Sequence, residues 1–249
     1  RRCQQRRQYQ QSAGFGRGPA HDPRHPARVE SVTAVESPPL GGYHDTRFAF
    51  DPRREVLWQE LWHSYFSRLI APTDCVLELG AGYGHFINNA RCQRRIAVDG
   101  FSEFVKFLDP AVEGHVGHVK DLGFLPPQCV DLALASNLFE HLTHEDFAAT
   151  LTEVRRVLKP AGTLCILQPN YRFAYREYFD DYTHVAIYSD RSLGDFLSAH
   201  GFRVIECRPR FLPLTIKSRW PVHRLLIRLY LRMPVKPFAK QMLLRAQPA

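Results

Sequence analysis

Three glycines at alternate positions, Gly80, Gly82 and Gly84, follow an apolar run that ends on an acid, Val76-Leu77-Glu78-Leu79. Glycine lets the backbone adopt conformations, and approach a ligand at distances, that a Cβ would block. The stretch from Cys75 to Leu79 has the length and composition of a buried strand. A helix opening over His85 to Ala90 would aim its first N–H groups at the same point. The chemistry of this turn is ligand binding, and charge decides the kind of ligand. A dinucleotide turn needs Gly-x-Gly-x-x-Gly, the third small residue allowing helix and strand to pack behind a pyrophosphate. Here that third position is His85, and Glu78 repels a pyrophosphate but suits a cationic group.

The elements that must position such a turn can be read further along. Arg95-Ile96-Ala97-Val98-Asp99 reads as a second strand ending in an acid nineteen residues after Gly80, where a carboxylate can accept both hydroxyls of a ribose. Val130-Asp131-Leu132-Ala133-Leu134-Ala135-Ser136 is a buried strand running into Asn137-Leu138-Phe139-Glu140-His141-Leu142. In an open α/β sheet the ligand crevice lies beyond the carboxyl ends of the strands, which places Asn137, Glu140 and His141 at a site by topology. A helix ending over Val154 to Leu158 is stopped by Lys159-Pro160-Ala161-Gly162 before a further strand, Thr163 to Leu167, proline and glycine setting the turn.

Together these stretches resemble the motifs of class I S-adenosylmethionine-dependent methyltransferases of the type 11-like group. The resemblance implies an α/β, Rossmann-like fold with a mostly parallel seven-stranded sheet in the order 3-2-1-4-5-7-6. It implies S-adenosylmethionine as cofactor, held by Glu78, Gly80, Ala81, Gly82, Tyr83, Gly84, Asp99, Asp121, Leu122, Ser136 and Asn137. His118-Val119-Lys120-Asp121-Leu122 resembles the third-strand motif, whose acid contacts the adenine amino group in that family; the alternative for Asp121 is a solvated turn residue. Gln168-Pro169-Asn170-Tyr171, Tyr178-Phe179-Asp180-Asp181-Tyr182-Thr183-His184 and Lys240-Gln241-Met242-Leu243-Leu244 are similar to a bacterial subgroup. The resemblance covers about residues 43 to 246, and its cofactor half is the more specific.

Methyl transfer requires donor and acceptor at near-attack distance with competing water excluded. If the acceptor is a hydroxyl, a base must take its proton, and imidazole, with an unperturbed pKa of about 6.5, suits that work. His184 is the preferred base, with His141 and Asp181 beside it. Asp181 orients His184 or caps a turn, and His184 itself either takes the proton or pins its loop. Glu140, Asn170, Tyr171 and Tyr182 are candidate substrate-binding residues, tyrosine offering a flat apolar face with a polar tip. Glu140-His141 is equally compatible with simple electrostatics at a helix start. No metal is expected.

A chain of 249 residues, 45% hydrophobic, suits one globular domain. Its net charge of +8 is divided: residues 1–30 carry +5, residues 207–249 carry ten Lys or Arg and no acid, and the remainder is −7. Residues 1–40, rich in Arg, Gln, Gly and Pro, are expected to be a disordered basic tail without the apolar region of a secretory signal, and 41–249 one methyltransferase domain. The alternatives for that tail are an organelle transit peptide, a nucleic-acid-binding arm or an artefactual extension. The cysteines show no metal-ligand pairing, which points to reduced thiols in a cytosolic protein, and no apolar run reaches the roughly 20 residues of a membrane span.

A covering helix is expected from Pro52 to Ile70, with Trp58 and Trp62 one turn apart. His44, Arg47 and Arg54 either close over the cofactor or serve the surface. Strand six over Phe202–Arg208 and strand seven over Lys240–Leu244 leave an insertion, 209–239, far longer than ordinary hairpin loops. Inside it Val222, Leu225, Leu226, Leu229 and Met233 share a helical face, and Arg224, Arg228 and Arg232 form a stripe. Such a helix either meets an anionic membrane through 217–236, grips an anionic substrate, or packs as a lid with its arginines in solvent.

The expected activity is methylation, at oxygen, of a small-molecule, lipid-linked or sugar-linked acceptor in the cytoplasm, with peripheral contact at the inner membrane face as a variant. An RNA or protein methyltransferase is the alternative. Ser136-Asn137-Leu138-Phe139 departs from the Asn-Pro-Pro-Tyr type that acts on exocyclic base amines, which disfavours nucleic acid. An NAD-dependent oxidoreductase is opposed by Glu78 and the displaced third glycine, and a non-catalytic cofactor-binding protein is the remaining reading.

Overall fold

Parallel strands buried on both faces organise the chain. In a computed structural model that describes residues 51–213 and 223–249, β1 (Cys75–Leu79), β2 (Arg94–Asp99), β3 (Glu113–Val116), β4 (Val130–Ser136), β5 (Leu158–Pro169), β6 (Phe202–Pro213) and β7 (Ala239–Pro248) form one sheet. Its order is β3-β2-β1-β4-β5-β7-β6, the order the resemblance implies. β1 is parallel to β2 and β4, with Leu79 opposite Val98 on one side and Ala135 on the other. β7 alone runs antiparallel, between β5 and β6.

Side chains alternate across a strand, and the core divides accordingly. Leu77, Leu79, Val98, Ala133 and Ile166 pack against α2 (His144–Val157) through Phe147, Leu151 and Val154, and against α4 (Asp190–Ala199) through Leu193 and Leu197. Val76, Ala97, Leu132, Leu134 and Cys165 face the other way, against α1 (Pro52–Ser64) through Leu61 and Trp62. Glu78 shares the face of Val76, so an acid projects into an apolar layer.

α1 starts where its chemistry predicts. Asp51 caps it by accepting the Arg53 N–H at 3.0 Å, with Pro52 at the first turn. It stops at Ser64, short of the expected Ile70; the chain continues through a 3-10 turn, Phe66–Arg68, that drives Phe66 into the core. The segment expected as a helix over 85–90 is a run of turns. Asn88 and Ala90 make isolated i→i−4 bonds to the Gly84 and Phe86 carbonyls, Asn89 bonds only three residues back to Phe86, and the Ile87 N–H goes to the Glu78 carboxylate at 3.0 Å, so no run of successive helical bonds forms. The third-strand motif also shifts. β3 ends at Val116, opposite Asp99 at the end of β2, so 118–122 has no strand to pair with and forms a turn.

β6 and β7 are both longer than expected. Leu212 pairs with Gln241 and Pro213 with Ala239 across a register shift, so residues 209–213 and 239 belong to the sheet and not to the insertion. The insertion holds α5 (Arg224–Arg232); Val222 and the residues 217–222 of the proposed membrane contact lie outside the described residues. So do His44, Arg47 and the tail 1–40.

α5 leans on the domain through Tyr230 and Leu231, which pack against the core layer under α1. Arg228 pairs with the wholly buried Glu60 of α1, and Arg224 donates to Gln59. Leu225, Leu226, Leu229 and Met233 are instead exposed, along with Val235 and Phe238. Arg224, Arg228 and Arg232 are exposed as well, Arg228 reaching the buried acid from a side chain that is itself 47% exposed, a buried acid being retained where a cation can pair with it.

Candidate methyl-transfer site

The glycine turn lies at the carboxyl end of β1. Gly80, Gly82 and Gly84 have φ of +67°, +52° and +66°, the left-handed region in which a side chain is strained. A Cβ on Gly80 would also stand 2.9 Å from Cδ1 of Leu138, in the turn after β4. The loops after β1 and β4 therefore touch.

Asp99 ties the turn down. Its Oδ2 accepts the Gly82 N–H at 2.7 Å and its Oδ1 the Phe101 N–H at 2.8 Å. Each carboxylate oxygen has two lone pairs, so one on each is left for a diol. A Cβ at Gly100 or Gly117, beyond β2 and β3, would meet nothing within 4 Å; the space beside Asp99 is open. These residues fit a nucleoside with a cationic tail: an acid for its hydroxyls, a backbone cradle without phosphate-binding side chains, and open room next to both. Burial pushes the Glu78 carboxyl well above its usual range, the Ile87 N–H pulling the other way and the Asp99 charge adding to the rise. Glu78 thus shapes the turn from beneath.

The remaining cofactor candidates divide. Ala81 and Tyr83 are buried in the cradle, Tyr83 edge-on to Phe107. Leu122 is buried, while Asp121 is exposed, lines an open pocket beyond β3 with Val98, His118 and Phe124, and accepts the Gly123 N–H at 3.3 Å. Ser136 ends β4. Asn137, with φ of +49°, donates to Ser136 Oγ and accepts from Gln241, its short amide tolerating the left-handed conformation.

Past Asn137 a 3-10 turn, Phe139–His141, carries two of the predicted groups, and the segment after β5 carries the third. Val185 and Ala186 donate their N–H groups to the Glu140 carbonyl at 2.9 and 3.2 Å, which clamps the two segments together. The His141 and His184 rings then lie 4.8 Å apart, centre to centre. His184 Nδ1 is 2.6 Å from the Tyr178 carbonyl. A carbonyl only accepts, so this nitrogen carries the proton and the lone pair is on Nε2.

The same logic settles His141. Its Nδ1 lies 3.2 Å from the Thr183 carbonyl and 2.9 Å from Thr183 Oγ1, and that hydroxyl donates to Asp181 Oδ1 at 2.6 Å. Having given its proton to Asp181, the hydroxyl can only accept, so His141 also carries its hydrogen on Nδ1. Asp181 therefore caps the turn through Thr183 and orients His141, whereas the expectation paired it with His184.

Burial and the neighbouring His184 push the His141 imidazole down to about 4, outweighing the Asp181 charge. Burial lifts the Glu140 carboxyl to about 8, with Asp181 adding to the rise and its own backbone N–H opposing. Burial raises the Asp181 carboxyl too, but the Thr183 hydroxyl and N–H and the two imidazoles outweigh it and leave the group below its usual value.

The substrate candidates fare unevenly. Asn170 is fully buried: its amide donates to Asp190 and the Pro209 carbonyl, and its oxygen caps α3 (Tyr171–Ala174) through the Arg172 N–H. Its polar valences are spent on support, so the expectation that it lines a pocket is corrected. Tyr171 is half-buried against Tyr178 and Phe179, and Tyr182 is 70% exposed. Sequence reasoning missed Thr183, whose role appears only through Asp181, and the link in which Glu55 of α1 accepts from Asn89 and meets His85 Nδ1 at 3.2 Å. The histidine that replaces the third glycine is thus an anchor to α1.

Comparison with known proteins agrees with this fold. The family model described as "Methyltransferase domain" matches residues 50–207, and the chain belongs to that family. It is a class I methyltransferase, with S-adenosylmethionine as its cofactor. No match was found among curated proteins. Among solved structures the chain is similar to an S-adenosylmethionine-dependent methyltransferase from Archaeoglobus fulgidus, at 19% identity and a TM-score of 0.60, covering 84% of this chain and 98% of that one. It is similar to one from Mesorhizobium loti at 14% identity and 0.56, covering 76% and 97%. A third, from Clostridium acetobutylicum, gives 12% and 0.55, covering 84% and 97%.

Proposed function

We propose that this methyltransferase acts on a hydroxyl of a small-molecule, lipid-linked or sugar-linked acceptor, with His184 taking the proton. The observation that carries this reading is the tautomer of the paired imidazoles. Both hold their hydrogen on Nδ1, so in both the lone pair lies on Nε2, beside a turn whose Leu138 touches the donor cradle. His141, pushed down to about 4, is a weak base, which leaves the transfer of a proton to His184. The bound cofactor supplies an electrophilic methyl on a sulfonium. Asp99 and the glycine turn hold it, and Glu140, Tyr171 and Tyr182 border the acceptor.

Labelled methyl donor and a panel of hydroxylated acceptors test this directly. Incorporation that falls at least tenfold in His184→Ala, with S-adenosylhomocysteine affinity retained, supports the reading. Full activity in that variant removes His184 as the base. The outward apolar face of α5 supports a second element, peripheral contact with an anionic membrane, because Leu225, Leu226 and Leu229 are each more than half exposed. Among the described residues no helix is long and apolar enough to cross a membrane.

A further inference from the structure

We infer that Glu140, His141 and His184 form a site for a divalent first-row transition metal of the zinc type. One ligand atom from each of the three lies within 4.8 Å of the others. The two segments that carry them are already clamped by the Val185 and Ala186 hydrogen bonds to Glu140. A metal about 2.0–2.1 Å from each donor draws such a set to roughly 3.4–4.2 Å apart, so the cluster closes by about an ångström.

Two independent features point to a cation there. The first is Glu140, which is completely buried and whose carboxylate oxygens are met by no hydrogen-bond partner from another residue. Buried polar atoms are almost always partnered, and leaving a charged one without a partner is costly. A metal ion provides the missing partner for both oxygens. The second is the outer layer of the cluster. Metal-binding histidines usually donate their second ring N–H to a carbonyl or a carboxylate, which fixes the ring and directs the other nitrogen at the metal. His184 donates to the Tyr178 carbonyl, and His141 to the Thr183 carbonyl and hydroxyl, the latter backed by Asp181. That is a two-imidazole, one-carboxylate donor set, which suits zinc, iron(II), cobalt or manganese and does not suit calcium or magnesium.

Three protein ligands leave coordination positions open. The use of those positions rests on the reading above: an acceptor oxygen bound there loses its O–H proton more readily, and a C–O bond then forms as the donor's C–S bond breaks. The proton leaves to solvent; with its lone pair on the metal His184 is a ligand, so of the reading above this site keeps the hydroxyl acceptor and replaces His184 as the base.

The test uses the full chain, stripped with chelator and titrated with zinc chloride by calorimetry. Cobalt(II) absorption provides a second readout. The wild type is expected to take up one equivalent, and Glu140→Gln and His184→Ala to bind at least about 100-fold more weakly. Thr183→Val, which removes only the outer hydrogen bond, is expected to weaken binding by about 10–100-fold. Absence of a one-to-one event in the wild type overturns the site, whether or not the variants fold, as does undiminished binding in folded Glu140→Gln. Stoichiometric uptake without methylation of any hydroxyl acceptor overturns the acceptor reading and leaves the site standing. Methylation by protein that takes up no metal does the reverse.

Discussion

Replacing Asp99 by alanine removes two things at once, and the structure separates them. In the free protein the carboxylate accepts the Gly82 and Phe101 N–H groups at 2.7 and 2.8 Å. Hydrogen bonds to a charged group are worth about 1.5–3 kcal/mol each when buried. Asp99 is half-buried, so water replaces part of this and the loss in stability is about 2 kcal/mol. With cofactor bound, the spare lone pairs serve its diol, and their removal costs a further 1–3 kcal/mol or so, about 5–150-fold in Kd. Asp99→Asn keeps one acceptor oxygen and the side-chain shape, so it falls between alanine and wild type in both respects. Urea denaturation gives the first quantity and calorimetry with S-adenosylhomocysteine the second. A folded Asp99→Ala protein whose Kd is within twofold of wild type refutes the diol assignment. An unchanged urea midpoint refutes the bracing of the glycine turn.

Other perturbations follow from the same contacts. Gly80→Ala costs roughly 1–2 kcal/mol from backbone conformation alone, plus displacement of Leu138; adding Leu138→Ala restores the steric part and not the torsional part, measured by thermal unfolding. Burial lowers the His85 pKa, Glu55 opposing, so the folded state favours the neutral ring. Its stabilisation is complete above the unfolded pKa of about 6.5 and is lost as pH falls toward the folded value. His85→Gln should therefore lose less stability than wild type between pH 7.5 and 5.5 in urea titrations, and equal losses would count against the assignment. Leu225→Glu with Leu229→Glu should abolish flotation with anionic liposomes while leaving the melting temperature unchanged, because these side chains are 66% and 60% exposed. Retained flotation removes α5 as the contact.

Much of this architecture could be read from local pattern. Glycines that need positive φ and an acid closing a buried strand act within a few residues of themselves, so the turn at 80–84 and the place of Asp99 at the end of β2 were legible in the sequence; that Asp99 braces Gly82 was not, nor that β5 starts at Leu158 and takes in Pro160. The helix expected over 85–90 did not form: its i→i−4 bonds do not follow one another, and the Ile87 N–H is held by Glu78, nine residues away. Periodicity also shows that α5 has an arginine face and a leucine face. It cannot show that both stay exposed while Tyr230 and Leu231 pack on the domain and Arg228 reaches Glu60, 168 residues distant along the chain. The cluster of Glu140, His141 and His184 belongs to the same class: two segments about forty residues apart are brought together by backbone hydrogen bonds to the Glu140 carbonyl. Sequence by itself determined the order of the central strands and which ligand the glycine turn suits, because those depend on torsions and short-range patterning. Only the tertiary structure decided which faces are buried, which histidine Asp181 serves and where a buried carboxylate is left without a partner, because burial and pairing are properties of segments that meet through folding.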